Sequence, residues 1–277
     1  MTGTDARLAA NRALWDELTA IHERSAFYDV DGFLAGASSL GAIELEELGG
    51  EVAGKRLLHL QCHFGLDTLS WARLGAVVTG VDFSGRAVAL ARRLAAESGL
   101  GATFIESDVY VLPDVLHERF DVVFTSWGVL CWLPDLTRWA RLIAGALQSG
   151  GVFYLLDFHP FLFALDDTSE RPVLGLDSYF QRAEPHVWEN DGSGSYADPE
   201  ATVNAPVQYE WDHPLGEIVS VLPDAGLAIE YLHEFGSLPL RGLDWPCIAA
   251  NLDGSYGLRG LRGEFPMAFS LKARRAG

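Results

Sequence analysis

The sequence predicts an α/β fold: a doubly wound parallel sheet with helices on both faces. Three observations carry this. Short, nearly continuous apolar runs alternate with helix-period segments between residues 54 and 160, as expected for strands buried on both faces. Polar turns follow these runs, where ligands sit in open parallel sheets. The chain has 277 residues and is 49% hydrophobic, enough for one large domain with an insertion or for two small ones.

Residues 5–25 place Leu8, Leu14, Trp15, Leu18 and Ile21 at roughly helical spacing, and a second short helix is expected over 39–48. The run Leu57-Leu58-His59-Leu60 predicts the first strand. A helix over 66–74, a strand over 76–81 and a helix over 84–97 follow, the last with Ala87, Val88, Leu90, Ala91, Leu94 and Ala95 on one face. Strands are expected at 102–105 and 120–125. A helix over 135–147 carries the stripe Leu136, Trp139, Ala140, Ile143 and Leu147. Ser149-Gly150-Gly151 predicts a turn into a strand at 152–156. Right-handed crossovers then put helices on both faces.

This rhythm breaks at residue 160. Residues 160–212 hold eight aromatics, eleven acids and two bases, and predict an irregular insertion folded onto the main domain. A helix over 213–225, a strand over 227–235, a Gly-rich loop over 253–263 and a last strand over 267–271 complete the chain. The whole reads as a single domain, 1–277, in four parts. These are an N-terminal helical segment (1–50), a core (54–160), the insertion (160–212) and the remainder of the sheet (213–277).

With 38 acids against 20 bases, the formal charge is -18. Such a field disfavours general binding to nucleic acid or to anionic membranes. Eighteen of the bases are Arg; Lys55 and Lys272 are the two Lys. Cys62, Cys131 and Cys247 form no CxxC, zinc spacing or disulfide framework, so no metal is expected. The first residues lack a basic-then-apolar leader and no apolar run reaches 18 residues, which predicts a cytoplasmic protein.

The first strand is followed by Gln61-Cys62-His63-Phe64-Gly65. A dinucleotide loop needs glycines where the backbone must approach a pyrophosphate. Here only Gly65 remains, which argues against a nicotinamide-dependent oxidoreductase. After the second strand, Asp82 either accepts the ribose hydroxyls of an adenosine ligand or caps the next helix, a task Ser84 can also take; Phe83 can cover the adenine. After the third, Asp108 and the Val109 N–H can read the adenine edge. After the fourth come Ser126 and Trp127, whose indole either faces a cationic group or packs in the core.

In this order and spacing the motifs resemble class I S-adenosylmethionine-dependent methyltransferases. The likeness spans roughly 54–160. Leu57–Gly65 stands at the first motif, Val78–Ser84 at the second and Ser107-Asp108-Val109 at the third. Phe120–Val123, Trp132–Asp135 and Gly150-Gly151 complete the run. The first motif departs from the common pattern, which has an acid where His59 stands and glycines where Gln61 and His63 stand. A bacterial small-molecule subgroup carrying a His-Leu-Gln-Cys-His run is more similar.

The resemblance implies a Rossmann-like seven-stranded sheet with an antiparallel final strand, N-terminal helices closing as a lid and an insertion capping an acceptor pocket. It implies S-adenosyl-L-methionine as cofactor and a small-molecule methyl acceptor, with O- or N-methylation. A member that binds the cofactor without transferring methyl, as a lyase, cyclase or regulator, is the alternative. The expected cofactor residues are Tyr28, Gln61, Cys62, His63, Gly65, Asp67, Asp82, Phe83, Asp108, Val109, Ser126 and Trp127. Without the usual acid, Gln61, Asp67 or a carbonyl near Ser126 is left to hold the methionine amino group. Histidine is the commonest base near neutral pH. His159, at the end of the fifth strand, and more weakly His213 are therefore the candidates for proton removal from the acceptor.

Overall fold

Leu57 and Leu58, adjacent on one strand, enter opposite apolar layers of the molecule, and this alternation organises the core. The computed structural model describes residues 3–175, 179–180, 184–239, 242–261, 263 and 265–277. Parts of the insertion and one position of the Gly-rich loop therefore lie outside the described residues.

The chain opens with α1 (Gly3–His22), α2 (Val30–Leu34) and α3 (Ala42–Glu47). The core then alternates β1 (Arg56–Leu60), α4 (Leu66–Arg73), β2 (Val77–Asp82), α5 (Gly85–Ser98) and β3 (Ala102–Glu106). It continues through α6 (Leu112–Val115), β4 (Phe120–Ser126), α7 (Leu136–Ala146) and β5 (Leu147–Phe158). The hairpin β6 (His186–Glu189) and β7 (Val207–Glu210) lies in the insertion. Then come α8 (Leu215–Asp224), β8 (Leu227–Phe235), a small hairpin β9 (Ile248–Ala250) and β10 (Tyr256–Leu258), and finally β11 (Ala268–Arg275).

The main sheet has seven strands in the order β3-β2-β1-β4-β5-β11-β8. Strands β3 to β5 pair in parallel, and β11 runs antiparallel to both β5 and β8. The fold is thus the Rossmann-like seven-stranded mixed sheet that the resemblance implies. One layer packs Leu58, Leu60, Val123, Phe153 and Leu155 against α7 and α8 through Trp139, Ile143, Ile218 and Leu222. The other packs Leu57, Val78, Val122, Phe124 and Leu156 against Trp71 of α4 and Leu48 beside α3. Burial on both faces explains why these strands read as apolar runs rather than alternating ones.

Four expectations shift. The turn at Ser149-Gly150-Gly151 is absorbed into a longer β5, where Gly150 takes φ 75° and the pairing with β4 shifts register between Phe120 and Val122. The last strand runs to Arg275 because Lys272, though charged, is buried and ion-paired with Glu51. The helix α2 was invisible to periodicity because it is a single turn, capped by Asp29 accepting from the Gly32 N–H. The insertion is less irregular than its composition suggests.

Its hairpin docks on α1. The Asn11 Nδ2 donates to the Tyr209 carbonyl at 2.7 Å, and the Tyr209 N–H donates to Asn11 Oδ1 at 2.8 Å. One amide side chain thus pairs with β7 as a neighbouring strand would. Glu17 accepts from the Asn204 and Ala205 N–H groups, and Leu14 and Leu18 pack on Val203 and Ala205. Among the described residues, no helix is long and apolar enough to cross a membrane.

Candidate functional site

Strand order reverses between β1 and β4, and ligands of open α/β sheets bind at such a point, beyond the strand carboxyl ends. The turns after β1, β2, β3 and β4 meet there around a cleft of about 810 Å³. All twelve residues expected around the cofactor, from Tyr28 and Gln61 to Ser126 and Trp127, line this one cavity.

The β1–α4 turn is held under backbone strain. Gln61 and His63 take φ 56° and 50°, and Gly65 takes 79°. A non-glycine residue in this region costs roughly 1–2 kcal/mol, so something must hold the turn. Asp82 does so: Oδ2 accepts from the His63 N–H at 2.8 Å, and Oδ1 accepts from the Ser84 N–H at 2.9 Å. The Gln61 amide donates to the Val129 carbonyl at 2.9 Å. Gly65 is required sterically, because a Cβ there would lie 2.6 Å from the Phe104 ring. Asp82 is buried, which pushes its carboxyl up to about 6 despite the N–H groups facing it. Ser84 caps α5 through the Ala87 N–H.

Asp108 caps the turn after β3, accepting from the Tyr110 N–H at 2.8 Å. Asp67, on the first turn of α4, accepts from Ser126 Oγ at 3.3 Å, and burial pushes its carboxyl up. Trp127, at φ 49°, donates its Nε1–H to Glu44 Oε1 at 3.0 Å and leans on Phe158. Asp157 at the end of β5 accepts from the Gly128, Val129 and Leu130 N–H groups and so shapes the turn after β4.

An aromatic cluster closes the cleft from the α1 side. Trp15, Tyr28, His63 and Tyr196 meet around His22, whose Nδ1 lies 3.0 Å from His63 Nε2. Burial pushes His22 down to about 4 and lowers His63, so two neutral rings share one proton-mediated contact at neutral pH. Between pH 6.5 and about 4 the unfolded chain protonates position 22 while the folded protein does not. This pair therefore contributes stability that is lost as pH falls through that window. The buried carboxyls of Asp82 and Asp157 work in the opposite direction, since their folded values are raised. Comparing wild type with His22→Gln isolates the histidine: the variant is expected to lose less denaturation midpoint between about pH 7 and pH 5. An equal loss in both proteins would reject this account.

A second cavity of about 440 Å³ adjoins the cleft; Gly128, Cys131, Phe158, Phe163 and Glu210 line both. Trp188, Trp211, Trp245 and Tyr179 add aromatic surface, and Asp157, Asp166, Asp167 and Asp212 add carboxylates. Glu210 stands at the junction. It accepts from Trp188 Nε1 at 3.1 Å and from Gln208 Nε2 at 2.8 Å, and burial pushes its carboxyl up to about 7.

The two histidines singled out from sequence are placed otherwise. His159 lines neither cavity. Its Nδ1 accepts from the Phe161 N–H, and its Nε2 lies 3.1 Å from Glu234 on β8. The Pro160 that follows starts a tight turn, which the His159 ring caps. His213 does border the second cavity, but its Nε2 is 2.7 Å from the Leu133 carbonyl and its Nδ1 is 3.1 Å from Glu217. Sequence reasoning missed Glu44, Asp157, Glu210 and Tyr196. Only Asp157 carried a signal, standing in the turn-forming end of an apolar strand. Burial raises the thiols of Cys62 and Cys131, and all three cysteines are free.

Residues 58–155 match a methyltransferase domain family. Over that stretch the chain is similar to methyltransferases. Over 154 residues it is 34% identical to a ubiquinone biosynthesis O-methyltransferase of Xanthomonas euvesicatoria, covering 54% of this chain and 63% of that relative. The chain thus spans less than two thirds of the curated relatives it matches. The fold also superposes on the structure of an S-adenosylmethionine-dependent methyltransferase from Mesorhizobium loti. There the TM-score is 0.58 at 25% identity, over 87% of this chain and 100% of the other. A methyltransferase structure from Methanosarcina mazei gives 0.54 at 18% identity, over 86% and 98%.

Proposed function

We propose that this protein is an S-adenosylmethionine-dependent methyltransferase acting on a small organic acceptor at oxygen or nitrogen by direct in-line transfer. The observation that carries it is the convergence of four strand-end turns on one cleft that shares Glu210 and other wall residues with an adjoining second chamber. The printed names of the curated relatives favour oxygen. The chamber walls favour a neutral or cationic acceptor, since neither Lys nor Arg lines it among the described residues.

The cleft fits the cofactor in size and chemistry. Asp82 retains free lone pairs for ribose hydroxyls after serving its two N–H groups. Phe83, Asp108 and Val109 border the place for the adenine, and Trp127 offers an aromatic face near the junction. Gln61 Oε1 is buried and has no hydrogen-bond partner, a vacancy for a donor on the ligand. S-adenosylmethionine, when bound, supplies an electrophilic methyl group on a sulfonium leaving group. The chain's residues exclude water with the Trp15–Tyr28–Tyr196 cluster, orient the acceptor between aromatic walls and take its proton. Glu210 is our candidate for that last step, because it borders both cavities and burial pushes its carboxyl up to about 7.

The reading is tested by calorimetric titration of S-adenosylmethionine and S-adenosylhomocysteine, with NAD as control. Micromolar-range binding of the sulfur ligands with NAD silent is the expected outcome. Binding without any methylated product across phenol, alcohol and amine panels would favour the non-transferring alternative. Absence of binding by the folded protein would overturn both.

A further inference from the structure

The acid that the resemblance calls for at position 59 is a neutral histidine here: His59 is buried, bonded to Thr68 Oγ1 at 2.8 Å, and pushed down to about 3 by desolvation. A replacement arrives from outside the sheet. Glu44 on α3 is 2% exposed and borders the cleft. Its Oε1 is engaged by Trp127, while Oε2 is buried with no hydrogen bond. Gln61 repeats the pattern: its amide nitrogen is committed to the Val129 carbonyl, and its Oε1 is buried without a partner. Asp67 supplies a third acceptor, tied to Ser126. All three are anchored to one short turn, residues 126–129.

A buried carboxylate left half-satisfied is costly. Burial, assisted by the neighbouring Asp67, pushes the Glu44 carboxyl up to about 7. With the acids ionised, two carboxylates and one amide oxygen offer acceptors only, and among the described residues no Lys or Arg lines this cleft to neutralise them. The complement is a compact cation with several N–H donors. We infer that Glu44, Gln61 and Asp67 form the receptor for the α-ammonium group of the sulfur ligand, so that a helix outside the sheet takes over the missing first-motif acid. This rests on the cofactor proposed above.

The test compares two ligands by calorimetry on the full chain: S-adenosylhomocysteine, which has the ammonium, and 5′-methylthioadenosine, which shares the thioadenosine but lacks the amino-acid end. Glu44→Gln keeps an acceptor for Trp127 and removes the charge. It is expected to weaken S-adenosylhomocysteine about tenfold or more, while methylthioadenosine changes less than about twofold. Asp67→Asn is expected to act in the same direction and carries the comparison if Glu44→Gln fails to fold. Equal weakening of both ligands, or of neither, overturns the assignment and leaves the cofactor reading standing. A wild-type protein that binds neither ligand overturns that reading and this one with it.

Discussion

Asp82→Asn is expected to weaken S-adenosylhomocysteine binding by about ten- to a hundredfold, with NAD silent in both proteins. The carboxylate performs two tasks. It holds the strained His63 turn and the start of α5 through backbone N–H groups, and it lines the cleft. The amide keeps one acceptor oxygen and presents an NH₂ group to one of the two N–H donors. Hydrogen bonds to a charged group contribute roughly 1.5–3 kcal/mol, which sets the size of the loss. The Gln61 and His63 turn should also relax, so melting temperature should fall in the same variant. Unchanged affinity in a folded Asp82→Asn protein would remove Asp82 from the site.

The second large effect is expected at Glu210. As general base, its removal should lower kcat by about 10²–10⁴-fold while cofactor affinity stays within about twofold. The sign of the pH dependence follows from its position. Its carboxyl is raised to about 7, so the basic form is present above that value and is lost as pH falls through it. In wild type kcat/KM should therefore rise with pH and level off above about 7, and Glu210→Gln should flatten that limb. A surviving limb would pass the role to another group. An acceptor that reacts without losing a proton would show neither limb nor loss.

The sheet was legible because the central parallel strands bury both faces, so Leu57–Leu60, Phe120–Thr125 and Val152–Leu156 stand out as apolar runs. The cleft was legible because in this architecture position along the chain predicts position in the site: Asp82 and Ser126 each end a strand, and Asp108 stands in the turn just after one. His159 shows that residue chemistry alone does not report side-chain direction, whereas His213 does border the second cavity. His159 sits at the right strand end, yet its ring turns toward Glu234 rather than into the cleft. Glu44 and Glu210 escaped notice because their roles depend on long-range docking. One belongs to a six-residue helix and the other to an acidic insertion where any carboxylate reads as solvated.

The pairing of Asn11 with Tyr209 has a consequence for solubility. A two-stranded hairpin projecting from a sheet protein normally offers a row of unpaired amides on which a second chain can add a strand. Here the outer edge of β7 is occupied at Tyr209 by the Asn11 amide, and just beyond it the Trp211 N–H donates to the Cys131 carbonyl at 2.8 Å. The first helix thus works as a guard against edge-to-edge self-association, and a chain that lost it would carry a template for aggregation beside an intact seven-stranded sheet.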